Sequence, residues 1–197
     1  MGAAERDEQA RATYQGRITE RSAEDFVVVD ECGSNINLTP IYARAPRGER
    51  ARGAIPRNTE KNTTLIASMT TAGMGPAMLL RGATDTAAFE VYIEHFLAPT
   101  LVPGKVVVLD NLSAHKRERI RHLIEARGCQ IWFLPTYSPD LSPIEEAFSK
   151  LKTLLRRAEA RTQAALEQAI ADALDRITGQ DACGYFTHCG YGVQLAQ

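Results

Sequence analysis

A chain of 197 residues with 44% apolar content is long enough for one substantial core and too short for two domains of ordinary size. Its formal charge of −1 excludes a uniformly basic nucleic-acid binder, yet charge is unevenly spread: Arg44, Arg47, Arg50, Arg52, Arg57 and Lys61 meet only Glu49 and Glu60 in one stretch, and Lys150, Lys152, Arg156, Arg157 and Arg161 meet only Glu159 in another. No apolar run approaches the roughly 20 residues that span a bilayer, and the cysteines at 32, 129, 183 and 189 show neither CxxC nor scaffold spacing, so free thiols, no membrane partner and a cytoplasmic location are expected.

Residues 1–22 are polar, lack a clean apolar stripe, and are expected to be a leader apart from the fold. Phe26-Val-Val-Val-Asp30 reads as a first strand, an apolar run buried on both faces and followed by a carboxylate. Ile36 to Ala43 alternates weakly, as a second, antiparallel strand would, and the arginine-rich stretch beyond it reads as a solvated loop. Thr64 to Thr70 and Ala77 to Leu80 read as strands around a turn at Gly73 and Gly75-Pro76. Behind an N-cap at Asp85 or Thr86, Phe89, Tyr92, Ile93, Phe96, Leu97 and Leu101 recur at helical spacing. That helix has the length of a crossover that brings the next strand parallel to a neighbour.

The next strand, Val106-Val-Val-Leu-Asp110, repeats the pattern of the first. If the two are neighbours, Asp30 and Asp110 stand side by side at the carboxyl ends of a sheet, where open α/β sheets bind ligands. A helix from about Ser113 turns Ile120, Leu123 and Ile124 inward and is closed by Gly128. Cys129 to Leu134 is a strand; after a proline-punctuated loop, one helix buries Ile144, Ala147, Phe148, Leu151, Leu154 and Leu155, and a last helix uses Leu166, Ile170, Ala173, Leu174 and Ile177. Residues 181–197 have no regular period and are expected to be an irregular tail. Cys183, His188 and Cys189 lack a fourth zinc ligand nearby and are assigned no metal.

Two adjacent aspartates repel unless a cation lies between them, and a hard divalent ion suits oxygen ligands, so Mg²⁺ or Mn²⁺ is expected. With a third acid such a cluster holds two ions about 3.5–4 Å apart, suited to phosphoryl displacement. Glu145 and Glu146 flank the apolar stripe of their helix on opposite sides, and Ser142-Pro143-Ile144-Glu145 also spells a capping box. Periodicity alone does not choose between the two glutamates.

Four motifs carry a resemblance: Asp-Glu-x-Gly at Asp30 to Gly33, Tyr42-Ala-Arg-Ala-Pro-Arg-Gly48, Val-Leu-Asp-Asn-x-Ser-Ala-His-Lys ending at Lys116, and Leu-Pro-x-Tyr-Ser-Pro-Asp-Leu-x-Pro-Ile-Glu-Glu ending at Glu146. From about Asp25 to Leu155 the chain resembles the catalytic domain of mariner-related bacterial insertion-sequence transposases, the DDE superfamily endonucleases, and the 34 residues between Asp110 and Glu145 are typical of that family. The resemblance implies an α/β, ribonuclease H-like mixed sheet with helices on both faces, occupying residues 23–180. It implies Asp30, Asp110 and Glu145 as catalytic residues and ligands of two Mg²⁺ or Mn²⁺ ions, with Glu146 a flanking residue. It also implies hydrolysis of double-stranded DNA at transposon ends, attack of the freed 3′-OH on a target, usually TA, and a homodimer on DNA.

Arg47, Asn111, His115, Lys116 and Lys150 are the candidate DNA contacts. Cys32 and Ser34 depart from the residues more common in relatives, leaving the acids untouched. The helix-turn-helix region of full-length relatives has no room ahead of the first strand, so the chain reads as the second half of a split transposase or as a remnant. Three other classes stand beside this one: a small-molecule phosphohydrolase, which no Gly-rich phosphate loop supports, a catalytically silent remnant, and a self-standing nuclease of the same fold.

Overall fold

A computed structural model describes residues 6–57, 61–111 and 118–192 and builds them around a five-stranded sheet. Its strands are β1 (Phe26–Ser34), β2 (Thr63–Thr70), β3 (Gly73–Arg81), β4 (Val106–Leu109) and β5 (Gln130–Phe133), in the spatial order β3-β2-β1-β4-β5. β1, β2 and β3 form an antiparallel meander, while β4 pairs parallel to β1 and β5 parallel to β4. Six helices accompany them among the described residues: α1 (Glu8–Thr19), α2 (Thr86–Tyr92), α3 (Glu118–Glu125), α4 (Pro143–Ala158), α5 (Gln163–Asp175) and α6 (Gly179–His188). The crossover from β3 to β4 runs through α2, which continues as a wider turn at Ile93–Leu97 and a tighter one at Ala98–Thr100. Gly128, at φ +69, ends the segment after α3 as expected.

Alternation along the strands divides the core. Phe26 and Val28 of β1 join Val106 and Val108 of β4 in the layer covered by α1, α4, α5 and α6. Val27 and Val29 join Val107 and Leu109 in the opposite layer, under α2 and α3. Both faces are therefore covered, as the apolar runs require, and each fully buried aliphatic side chain contributes about 1.5–3 kcal/mol.

Local expectations change in four places. Asp30 does not close its strand: β1 continues to Ser34 because β2 pairs with it through Ser34↔Thr63, beyond the reach of the shorter β4. Ile36 to Ala43 forms no strand; two of its carbonyls, Ile36 and Leu38, instead accept hydrogen bonds from Arg161 at 3.1 and 2.8 Å. The polar leader is corrected to a helix packed on the sheet. In α1, buried Arg11 grips Asp140 with two hydrogen bonds of 3.0 and 2.6 Å, Tyr14 shares a 2.9 Å hydroxyl contact with Tyr191, Ile18 is buried, and Arg17 lies 3.9 Å over the Trp132 ring. The irregular tail is corrected as well: residues 179–188 are α6, opened by a complete capping box between Thr178 and Asp181.

These two corrected elements generate a test by chemical denaturation. Ile18→Ala is expected to lower the unfolding free energy by about 2–5 kcal/mol, and Thr178→Ala by about 1 kcal/mol. An Ile18→Ala variant with the wild-type midpoint would show that α1 lies outside the cooperative unit.

Candidate active site

The alternation that buries Val28 and Val108 also directs the next residues of the same parity, Asp30 and Asp110, to the face covered by α4. The parallel ladder pairs Val28 with Val108, and the same offset carried two residues further brings Asp30 level with Asp110. Beyond β5 the chain returns across this face through Pro135 to Ser142 and enters α4. The result is a cleft of about 350 Å³ whose lining includes Asp30, Asp110, Asn111, Tyr137, Ser142 and Glu145.

α4 presents Glu145 to this cleft and gives its other flank to α6. Glu146 pairs with His188 and raises the imidazole pKa through that hydrogen bond. One turn on, Lys150 donates to Asp181 at 2.7 Å, and Asp181, which also caps α6, is held down to about 2 by Lys150 and by Thr178. The alternative left open by periodicity is thus resolved in space: of the two glutamates, Glu145 lines the cleft and Glu146 faces α6. The capping box expected at Ser142 does not form. Ser142 occupies the N-cap position, but its hydroxyl makes no capping bond, and the Glu145 carboxylate is spent on the cleft rather than on the helix end.

Asp30 carries the electrostatic strain of the site. Burial is the main cause that pushes its pKa up to about 7, the Glu31 amide at 2.7 Å works against the rise, and the charges of Glu145 and Asp110 add to it. Among the described residues no three His, Cys, Asp or Glu side chains close into a ready coordination cage. The donor set nevertheless fits a hard divalent cation: three carboxylates on one cleft, one of them buried beside like charge that such an ion neutralises.

The other sequence candidates divide. Asn111 lines the cleft and donates its amide to Thr136 at 2.9 Å. Arg47 lies exposed in the loop between β1 and β2, and Lys150 is engaged by Asp181 instead of facing the cleft. His115 and Lys116 lie outside the described residues. Two cations that the sequence reading counted but did not select, Lys152 and Arg156, line a groove of about 240 Å³ with Glu145, Phe148 and Ser149. Neither has a carboxylate partner among the described residues, and Lys152 is near enough to Cys32 to oppose the rise that burial causes in its thiol pKa. The signal was their spacing: 145, 149, 152 and 156 fall on one helical face. Tyr137 was missed too. It lines the cleft with a left-handed backbone, φ +53, which costs a non-glycine residue about 1–3 kcal/mol.

Comparison with known proteins adds the following. The profile of a family described as DDE superfamily endonuclease matches residues 25–167. No curated protein matches the chain in sequence. Among solved structures, the Mos1 transposase paired-end complex with left transposon end superposes with a TM-score of 0.75 at 18% identity, covering 92% of this chain and 57% of that one. The Mos1 mariner paired-end complex with Mn gives 0.69 at 16% identity, covering 94% and 59%. The catalytic domain of Mos1 mariner transposase gives 0.58 at 14% identity, covering 92% and 83%. At these identities the likeness is one of fold, the ribonuclease H-like mixed sheet, and the chain spans just under three fifths of the length of the two complexes' chains.

The raised Asp30 pKa has a definite sign. Between its ordinary value of 3.8 and about 7 the folded protein keeps a proton that the unfolded chain releases, so stability falls as pH rises through that window. Thermal melts of metal-free protein are expected to show wild type losing stability relative to Asp30→Asn from pH 4 to 7. Millimolar Mn²⁺ at pH 7.5 is expected to raise the wild-type Tm and leave Asp30→Asn nearly unmoved; parallel pH curves for the two proteins would contradict the burial of this carboxyl.

Proposed function

The chain belongs to the DDE superfamily endonucleases, and from that membership we propose that it is the catalytic domain of a mariner-related transposase that cuts double-stranded DNA and joins the freed 3′-OH to a target. One observation carries the reading: acids from β1, β4 and α4, far apart in sequence, line one cleft. In this reading Asp30, Asp110 and Glu145 would hold two Mg²⁺ or Mn²⁺ ions. Bound there, the metal supplies an activated oxygen nucleophile and stabilises the leaving oxygen.

The chain's own residues do the rest. Asp30, with its pKa near 7, yields its proton when cationic charge compensates the burial of its carboxylate. Pairing with His188 keeps Glu146 away from the cleft, so α4 contributes a single acid. Lys152 and Arg156, running along α4 from Glu145, hold the phosphates of the strand leading into the cleft. Asn111, fixed by Thr136, borders the reacting phosphate from the β4 side. In this reading the substrate is engaged by a homodimer, with TA as the target.

The test is nicking of supercoiled plasmid in Mg²⁺, Mn²⁺ or EDTA. Cleavage is expected only with metal and is expected to fall by roughly 10³-fold or more in Asp110→Ala and Glu145→Gln, while Glu146→Gln stays within severalfold of wild type. Metal-independent nicking, or equal loss in Glu145→Gln and Glu146→Gln, would overturn the assignment of the acids. Lys152→Ala and Arg156→Ala are each expected to reduce the salt dependence of duplex binding by about one unit of slope; slopes unchanged from wild type would remove these residues from the DNA path.

A further inference from the structure

The sheet has two edges, and they are unlike. β5 is a short edge of four residues, whereas β3 runs for nine, from Gly73 to Arg81, and carries a single charge, at its last residue. Natural sheets blunt such edges with charge, proline or a bulge. Pro76 and the register shift opposite Ala67 and Met69 do this for the first half of β3 only. The second half, Ala77-Met78-Leu79-Leu80-Arg81, pairs regularly with β2 and has no strand on its outer side.

The pairing with β2 fixes which backbone groups that outer side offers. The Gly82 amide donates to the carbonyl of its aligned partner, Asn62, at 2.6 Å, and bonded and non-bonded pairs alternate along an antiparallel ladder. Leu80 and Met78 therefore spend their amides and carbonyls on Thr64 and Ile66, while Ala77, Leu79 and Arg81 turn theirs away from the sheet. Among the described residues no backbone group outside the ladder bonds to those three. Apolar surface flanks the row on both faces. Leu79, 37% exposed, shares the α5 side with Ala77 and Arg81. On the α2 side Phe96, 39% exposed, stacks on Tyr92, whose hydroxyl donates to the Pro76 carbonyl at 2.8 Å.

We propose that this edge pairs antiparallel with the same edge of a second copy of the chain, joining the two sheets into one. Centred on Leu79, the pairing sets Leu79 against Leu79 of the second copy and Ala77 against Arg81 of the second copy, and each residue pair in the row exchanges both hydrogen bonds. The charges admit this register. The two Arg81 side chains fall at opposite ends, each beside an alanine, and each lies 3.6 Å from Glu167 of its own chain. Any strand satisfies the row of amides and carbonyls; a second copy in addition brings leucine to Leu79 and keeps like charges apart. β2 separates β3 from the strand that bears Asp30, so the acid cleft stays open in the pair. The pairing calls on neither metal nor DNA, so it goes beyond the nuclease reading and does not rest on it.

The experiment is sedimentation velocity of the full chain at micromolar concentration, without DNA or divalent metal. Wild type is expected at about twice the chain mass of 21.6 kDa. Leu79→Lys and Leu79→Glu, which set like charges face to face across the two-fold axis, are each expected at about the single mass. An equimolar mixture of the two variants is expected to recover the double mass, since lysine then faces glutamate; recovery also shows that both variants are folded. Val102→Lys, at an apolar residue 52% exposed in the segment before β4, is expected to remain dimeric. Wild type at the single mass overturns the pairing and leaves the edge to a strand of another protein. A double mass that survives in Leu79→Lys, or a mixture that stays at the single mass, overturns it as well. A dimer found only on DNA overturns this interface and leaves the nuclease reading untouched, whereas absent plasmid nicking beside a dimer that depends on Leu79 does the reverse.

Discussion

The parallel pairing of β1 with β4 is the constraint on which the rest depends. Its register sets Asp30 level with Asp110, and its alternation sends both toward α4. The position is costly for Asp30, whose pKa is lifted to about 7 chiefly by burial, with the charges of Glu145 and Asp110 adding to the rise. What enforces the arrangement is burial of Phe26, Val27, Val28 and Val29 against Val106, Val107, Val108 and Leu109 on both faces of the sheet. Each such side chain outweighs a good part of the electrostatic penalty, and there are eight of them.

α4 translates that arrangement into a third acid. Its apolar stripe locks it onto the sheet, and its two flanks then have fixed and different neighbours. On one flank, Glu146 and Lys150 are paired with His188 and Asp181 of α6. On the other, Glu145 leads a line that continues through Ser149, Lys152 and Arg156. Charge along this helix is therefore sorted by face: two ion pairs with α6 on one side, and on the other an acid followed by cations that have no carboxylate partner among the described residues.

The five strands were legible in the sequence through their apolar runs, which set Asp30 and Asp110 at corresponding points of two strands, but their side-by-side placement depended on the two strands being neighbours. α1 was not legible. Two of its inward residues are Arg11 and Tyr14, whose polar ends are satisfied by Asp140 and Tyr191, and a count of apolar positions cannot see a polar group that is buried and bonded. The capping box of α6 was present as Thr178-x-x-Asp181 but lay among glycines that argued for irregular chain. Glu145 could not be separated from Glu146 by periodicity, because the residue that claims Glu146 lies 42 positions away. The family resemblance chose between them, and the geometry independently sets Glu145 in the cleft. Lys150 was preferred over Lys152 for the same lack of tertiary information. Tyr137 was hidden for another reason, since its backbone torsion is imposed by a loop between two prolines and leaves no periodic trace.

The contact between Tyr14 and Tyr191 spans 177 positions, and Tyr191 also donates to the carbonyl of Leu141 in the turn that leads into α4. Closing so long a loop is entropically costly and slow compared with local pairing. During synthesis α1 leaves the ribosome ahead of the sheet, and Tyr14 has no hydroxyl partner to meet until Tyr191 has followed it. Until then the Tyr14 hydroxyl waits without its partner, and the turn before Glu145 lacks its tether. The order of manufacture thus makes the cleft a late product: the strands can pair as they emerge, but the residues that frame the acids are clasped in place only once α6 and Tyr191 have emerged.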